Sequence, residues 1–328
     1  MWKADPQTRA GIAAPSLAET PHGIGAKEVL LSNRSEVARY PVDSKEKQVT
    51  IAVGFRCLDG VVIATDSQYT IDIAKGRGQK IFPIPINGHY ALTIGGAGAS
   101  DQIKWTVAEV ERSLVKEIGA RRTTSEEIRQ VIEAVLHRSY AAHVDTAPED
   151  ERSWLEYGLL IGIWTAHERT ILFKSARTVV AEVAYPNHAG LGIGSYLTDF
   201  VLAALFDKSW KLYVDEAASV GAYLVTAAKD HVEGCGGDTF VRVLDDEGHD
   251  VRVGPDEVSN AVEYYKGLFM WTSSMRKLLS RGFAPADIDI VPFANILRDQ
   301  VVKFRELQDR HRSLSDQRIA EHGKKPIT

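Results

Sequence analysis

Cysteine is nearly absent: the 328 residues contain two, Cys57 and Cys235, far apart in the chain. Two cysteines make neither a disulfide framework nor a zinc site, and so low a count fits a reducing compartment. An excess of positive charge is also missing. Lysine and arginine number 39 against 44 Asp and Glu, a net charge of −5, which argues against a general nucleic-acid surface. Long apolar runs are lacking. The longest, at 157–166, falls well short of the roughly 20 residues a membrane-spanning helix needs. The opening residues, MWKADPQTRAGIAAPSL, place charges and prolines where a secretory signal needs an unbroken apolar stretch. The expectation is a cytoplasmic protein with no membrane and no nucleic-acid partner. The histidines, His137, His143 and His231 among them, have no metal-ligand spacing. The glycines at 190–194 do not have the dinucleotide-fingerprint spacing, and no strand-end acid follows about 20 residues on. No metal or organic cofactor is expected.

What is present is the composition of an ordinary globular protein, 44% hydrophobic and 25% charged, long enough for one large domain or two smaller ones. Residues 1–49 are rich in Pro, Ala, Ser and charge without a sustained period, the texture of an arm or a propeptide. From Val49 the pattern changes. Val49, Ile51, Val53 and Phe55 alternate as in a strand with one buried face, and the β-branched 61–64 run suits a partner strand across a turn at 58–60. Segments 80–84 and 89–94 flank Asn87-Gly88, a hairpin signal. A helix capped by Ser100 or Asp101 is predicted to run to about 118, and a second opens at Thr124, whose pairing with Glu127 makes a capping box. Strands follow at 157–164, 170–173 and 179–183. A glycine-rich turn at 190–195 leads into a helix to 205, then come a helix at 215–229 and strands at 239–244 and 250–253. Strands and helices that segregate and return in this way fit stacked layers better than a parallel βαβ series. Pro255 opens a C-terminal helical extension over 255–328, whose Val258, Val262, Tyr265, Leu268, Phe269, Trp271, Met275 and Leu278 form an apolar surface. That surface is expected to pack on the core or on a neighbouring subunit. Further on, 301–314 looks like a charged amphipathic helix and 322–328 a frayed tail.

Chemistry gathers at strand ends. Thr50 stands at the start of the first strand, Asp66 at the end of the second, and Lys80 opens the next. A threonine hydroxyl is a poor nucleophile without a base at hydrogen-bond distance. If the chain is cut before Thr50, its own α-amine supplies that base, with an ordinary pKa of about 7.7–8.0. A lysine ammonium favours the deprotonated hydroxyl, and a carboxylate orients the lysine. The glycine turn at 95–98, ahead of a helix N-terminus, offers backbone amides for an oxyanion.

These residues carry a family likeness. Thr50-x-x-Val53-Gly54, then Asp59-Gly60, Ala64-x-Asp66, and Lys80 before Ile81-Phe82 resemble the start of a mature proteasome β-type subunit, an N-terminal-nucleophile (Ntn) hydrolase. The likeness runs on through IGGAGASDQ at 94–102 and the glycine turn at 192–195, some 200 residues in all. It implies an α+β fold, the four-layer αββα sandwich, over residues 50–254. It also implies a threonine peptidase in which Thr50 is nucleophile, Lys80 and Asp66 tune it, and the Gly96 amide binds the oxyanion. By the same carry-over Thr70 and Gly98 line the substrate strand and Tyr69 borders the specificity pocket. The implied partners are a protein or peptide substrate and further copies of the chain in a ring, with a separate ATPase or regulator left open. The chain departs from the family at Ile193, Val232 and Cys235, where a serine, an aspartate and a serine support the threonine amine, and at Val49, where a glycine precedes the cut. Two other readings therefore stay open: an uncleaved, inactive structural or binding subunit, and an amidohydrolase acting on small amides.

Overall fold

The computed structural model describes residues 50–71, 74–84, 88–184, 187–205 and 211–280, with single helical positions at 298, 302 and 306. The arm at 1–49 and, those positions apart, the segments expected at 301–314 and 322–328 lie outside the described residues.

Two antiparallel five-stranded sheets organise the chain. The first runs in the order β10 (Asn187–Leu191), β1 (Ala52–Arg56), β2 (Gly60–Asp66), β11 (Thr239–Asp245), β12 (Asp250–Arg252). The second runs β5 (Ile81–Ile84), β6 (Tyr90–Gly98), β7 (Tyr157–Thr165), β8 (Glu168–Ala176), β9 (Val179–Glu182). A short hairpin, β3 (Gln68–Ile71) and β4 (Ala74–Arg77), stands apart from both.

Side-chain alternation along the strands distributes three cores. Between the sheets lie Ala52, Val61, Ile63, Ile81, Leu160 and Leu172. The approach there is close. A Cβ on Gly95 would meet Ile63 Cγ2 at 2.5 Å, and one on Gly162 would meet Val61 and Thr93 at 3.1 Å. The outer face of the second sheet is covered by α1 (Ser100–Glu117) and α2 (Ser125–Ser139), with Ile94, Leu114, Ile132 and Ile161 in the core beneath. A π-helical turn (Tyr140–Val144) and a short helix α3 (Glu149–Leu155) lead back into β7. The outer face of the first sheet is covered by α4 (Ser195–Leu205), α5 (Val214–His231) and α6 (Pro255–Ser280). Val258, Val262, Tyr265, Leu268 and Phe269 of α6 pack into that core, Tyr265 and Phe269 lying 5.5 and 5.4 Å from the Tyr223 ring. The side chains of Trp271, Met275 and Leu278 are outside the described set. No helix among the described residues is long and apolar enough to cross a membrane.

Local sequence explains the start of α2. Thr124 caps α2, accepting from the Glu127 amide while Glu127 bonds back to it. The first helix begins differently from expectation: Ala99 holds the cap position, with Ser100 already inside and no side-chain cap. β10 was also unexpected, since 190–191 read as turn and instead pairs with β1, Gly190 opposite Val53.

Candidate active site

Strand register brings the first two residues together. β1 pairs with β2 antiparallel, Ala52 opposite Thr65, so one step further along the ladder Ile51 faces Asp66. The Asp66 amide donates to the Ile51 carbonyl and the Ile51 amide to Asp66 Oδ1, both at 3.3 Å. Thr50 follows immediately, just outside the strand rather than within it. Its carbonyl lies under the loop after β10. Gly192 has φ +79°, and a Cβ there would stand 2.1 Å from the Thr50 carbonyl oxygen. Only glycine fits both the left-handed backbone and that approach. The Gly194 amide donates to the same carbonyl at 3.4 Å.

Lys80 arrives from the second sheet, one residue before β5, where its carbonyl accepts the Gly96 amide at 3.0 Å. Its Nζ donates to Thr50 Oγ1 at 2.5 Å and to Asp66 Oδ1 at 2.7 Å, while Thr50 Oγ1 donates to Asp66 Oδ1 at 2.6 Å. Thr50, Asp66 and Lys80 are 3%, 0% and 2% exposed, so these bonds act with little solvent screening. Burial holds the Lys80 ammonium below the ordinary lysine pKa, and the Asp66 carboxylate partly offsets that by raising it. The second Asp66 oxygen, Oδ2, accepts the Gly236 amide at 3.1 Å.

The loop carrying Gly236 wraps the corner after β2. The Gly236 carbonyl accepts the Ser67 and Gln68 amides at 3.3 and 3.2 Å. Gln68 Nε2 donates to the Gly234 carbonyl at 2.8 Å, and the Asp238 amide to Ser67 Oγ at 2.7 Å. Cys235, in the middle of this loop, is buried, and burial first and the Asp66 charge second push its thiol up to about 12. Val232 is buried in the α5 core, whereas Ile193 is about half exposed.

Tyr69 hangs over the group from β3. Its hydroxyl donates to the Gln79 carbonyl at 2.6 Å, and its ring lies beneath two ammoniums, Lys80 Nζ at 5.1 Å and Lys104 Nζ at 5.4 Å from the centroid. Burial raises the Tyr69 phenol to about 12. The Thr70 backbone pairs with Lys75 in the β3–β4 hairpin, and its side chain is outside the described set. At the end of β6 the glycines are sterically required. A Cβ on Gly96 would lie 2.7 Å from Ile103 Cγ2. Gly98, at φ +113°, would bring one 2.5 Å from the Glu156 carbonyl oxygen.

The structure thus joins Thr50, Asp66 and Lys80 by direct hydrogen bonds, sets Tyr69 against Lys80, and spends the Gly96 amide on Lys80. Sequence reasoning missed the Gly236 amide and Lys104. The Gly-Gly pair at 236–237 was the available signal for the first; a lysine on a helix carries none for the second.

No protein-family model matches the sequence, and no curated protein matches it significantly. Solved structures do match. Anbu (ancestral beta-subunit) from Yersinia bercovieri superposes with a TM-score of 0.57 at 13% identity, over 72% of this chain and 99% of that one. The Anbu complex from Pseudomonas aeruginosa, described as a helical assembly, gives 0.57 at 15% identity, over 72% and 98%. Anbu from Hyphomicrobium sp. strain MC1 gives 0.55 at 15%, over 73% and 100%. At such identities the likeness is one of fold.

Proposed function

We propose, from the premise that this chain has the Ntn-hydrolase fold of the proteasome-type β subunits, that it is a threonine peptidase acting through Thr50. The supporting observation is the buried triangle of hydrogen bonds among Thr50 Oγ1, Lys80 Nζ and Asp66 Oδ1. The three cores, helices over sheet, sheet over sheet and sheet over helices, agree with the four-layer αββα arrangement.

In this reading the bond between residues 49 and 50 is cut, freeing the Thr50 α-amine. The amine takes the hydroxyl proton as Oγ1 adds to a peptide carbonyl. The adjacent Lys80 ammonium stabilises negative charge on Oγ1, and Asp66 holds Lys80 in place. The tetrahedral intermediate collapses, the C–N bond breaks, and the leaving nitrogen takes the proton from the ammonium. Water then adds to the ester, giving up a proton to the amine, and releases the acid product. For the oxyanion donor the register favours Gly98. Successive strand amides point to opposite sides. The Gly96 amide faces β5 and is bonded to Lys80, and the Ala99 amide faces the β7 side and donates to Glu156. The Gly98 amide therefore lies on the β5 side, beyond Lys80. Gly96 then serves to fix the Lys80 backbone.

A second reading has its own support. Buried Val232, buried Cys235 and half-exposed Ile193 supply neither hydroxyl nor carboxylate to steady a free amine, which favours an uncleaved, inactive subunit of the same fold. The helical assembly of the Pseudomonas protein supports self-association of this chain in either case. Intact mass together with peptide hydrolysis separates the two. A chain beginning at Thr50, with hydrolysis abolished in Thr50→Ala, upholds the peptidase. A full-length chain without hydrolysis upholds the inactive subunit.

A further inference from the structure

A carbonyl held at Thr50 Oγ1 brings its own side chain past whatever surrounds that hydroxyl. Toward β6 the packing is close, with Ile63 against Gly95, the Glu156 carbonyl against Gly98, and Ala97 buried between the sheets. Ile103 of α1 fills the space a Gly96 side chain would take. Beside Lys80 stands Tyr69, with Lys104 of α1 over the same ring. Of the two ammoniums over its ring, Lys80 is buried and committed to Thr50 and Asp66. Lys104 is different. Its side chain is 55% exposed, and its one ion-pair partner among the described residues, Asp101 at 3.7 Å, is itself 92% exposed, too open to the solvent to neutralise it. The aromatic face keeps the ammonium near the site.

We infer that Tyr69 and Lys104 form a side-chain subsite that selects an acidic residue, Asp or Glu, on the side of the carbonyl attacked by Thr50. This rests on the peptidase reading above and adds its substrate class. Among the described residues the charges on the Tyr69 ring are the Lys104 and Lys80 ammoniums, with Asp66 offsetting Lys80 and Asp101 working against the preference beside Lys104. A basic side chain meets Lys104 with like charge and is rejected, so one residue both attracts and discriminates.

The test uses acetyl-tripeptide aminocoumarins ending in Glu, Leu or Lys. With the processed wild-type protein, kcat/KM for the Glu substrate exceeds that for Leu by about fivefold, the scale of a part-exposed ion pair. Lys104→Glu inverts the order towards the Lys substrate, and Asp101→Asn widens the original preference. Turnover of all three in the same order by wild type and Lys104→Glu overturns the inference and leaves the peptidase reading standing. Absence of turnover sinks the peptidase reading. The subsite is then decided by fluorescence polarisation of labelled tripeptide acids on Thr50→Ala. Tighter binding of the Glu-ended peptide, lost in Thr50→Ala/Lys104→Glu, upholds it; equal or no binding overturns it.

Discussion

Gly236 donates its amide to Asp66 Oδ2 at 3.1 Å across 170 positions of chain, so the carboxylate that orients Lys80 is itself oriented by the loop after α5. Oδ1 is then left for Thr50 and Lys80. The loop entering β11, the strand beside β2, therefore controls which oxygen faces the hydroxyl.

Breaking the pair that this arrangement buries is expected to be costly. Lys80→Ala leaves Asp66 charged and 0% exposed, and stability should fall by about 3 kcal/mol, as for other buried pairs that lose one partner. Lys80→Met combined with Asp66→Leu should recover most of that loss in urea denaturation while remaining inactive. Equal destabilisation by the single and double variants would show that charge burial is not what the pair manages.

On the peptidase reading, the alkaline limb of the rate profile is expected to follow from Lys80. Its pKa in the fold is lowered from 10.5, with burial the larger cause and Asp66 opposing it. Loss of the ammonium, and of activity with it, should therefore set in below the pH at which free lysine titrates. Asp66→Asn removes the charge that raises the pKa and should move the limb further down, on whatever activity remains. Stability has a matching sign. A lysine with a depressed folded pKa costs stability while it is charged, and that cost fades as pH rises through the folded value toward 10.5. A pH–rate series on wild type and Asp66→Asn, paired with melts between pH 7 and about 10, checks both signs.

Gly192 is expected to tolerate no side chain. At φ +79° with the Thr50 carbonyl oxygen 2.1 Å from its would-be Cβ, Gly192→Ala must strain the loop or displace Thr50, at about 2 kcal/mol or more. The more telling readout is hydrolysis, which should drop further than in Gly76→Ala, where a Cβ meets nothing within 4 Å.

On the far side of the first sheet, Tyr265 is 8% exposed and rests on Tyr223 at 5.5 Å. Tyr265→Ala should cost about 3 kcal/mol by opening a cavity under α6. A loss below about 0.5 kcal/mol, the range of ordinary surface changes, would mean that α6 is not part of the cooperative unit.

Much of this was legible in the residues because it is local. The capping box at Thr124 and Glu127 formed as written, and the alternation at 51–55 and the β-branched run at 61–64 gave the strand pair that sets Thr50 beside Asp66. What sequence concealed was long-range. Gly190 and Gly192 read as turn, yet Gly190 pairs opposite Val53 in β10, where Ser195, 2.7 Å from its would-be Cβ, leaves room only for glycine. The β3–β4 hairpin has no alternation to announce it, since Ala-Lys-Gly-Arg in β4 presents no apolar face. Lys104 resembles any solvated helix charge until the fold brings Tyr69 beneath it.

Among the described residues, the grip on Thr50 comes from one direction along the chain. Every bond described here to its carbonyl, its hydroxyl and the residue after it comes from β2, β5 or the loop beyond β10. Among the described residues, the groups that hold Thr50 therefore all lie downstream of it in the chain. On the peptidase reading, a protein started at Thr50 by an outside protease should keep this hydrogen-bonded geometry, so that maturation and catalysis can be tested one at a time.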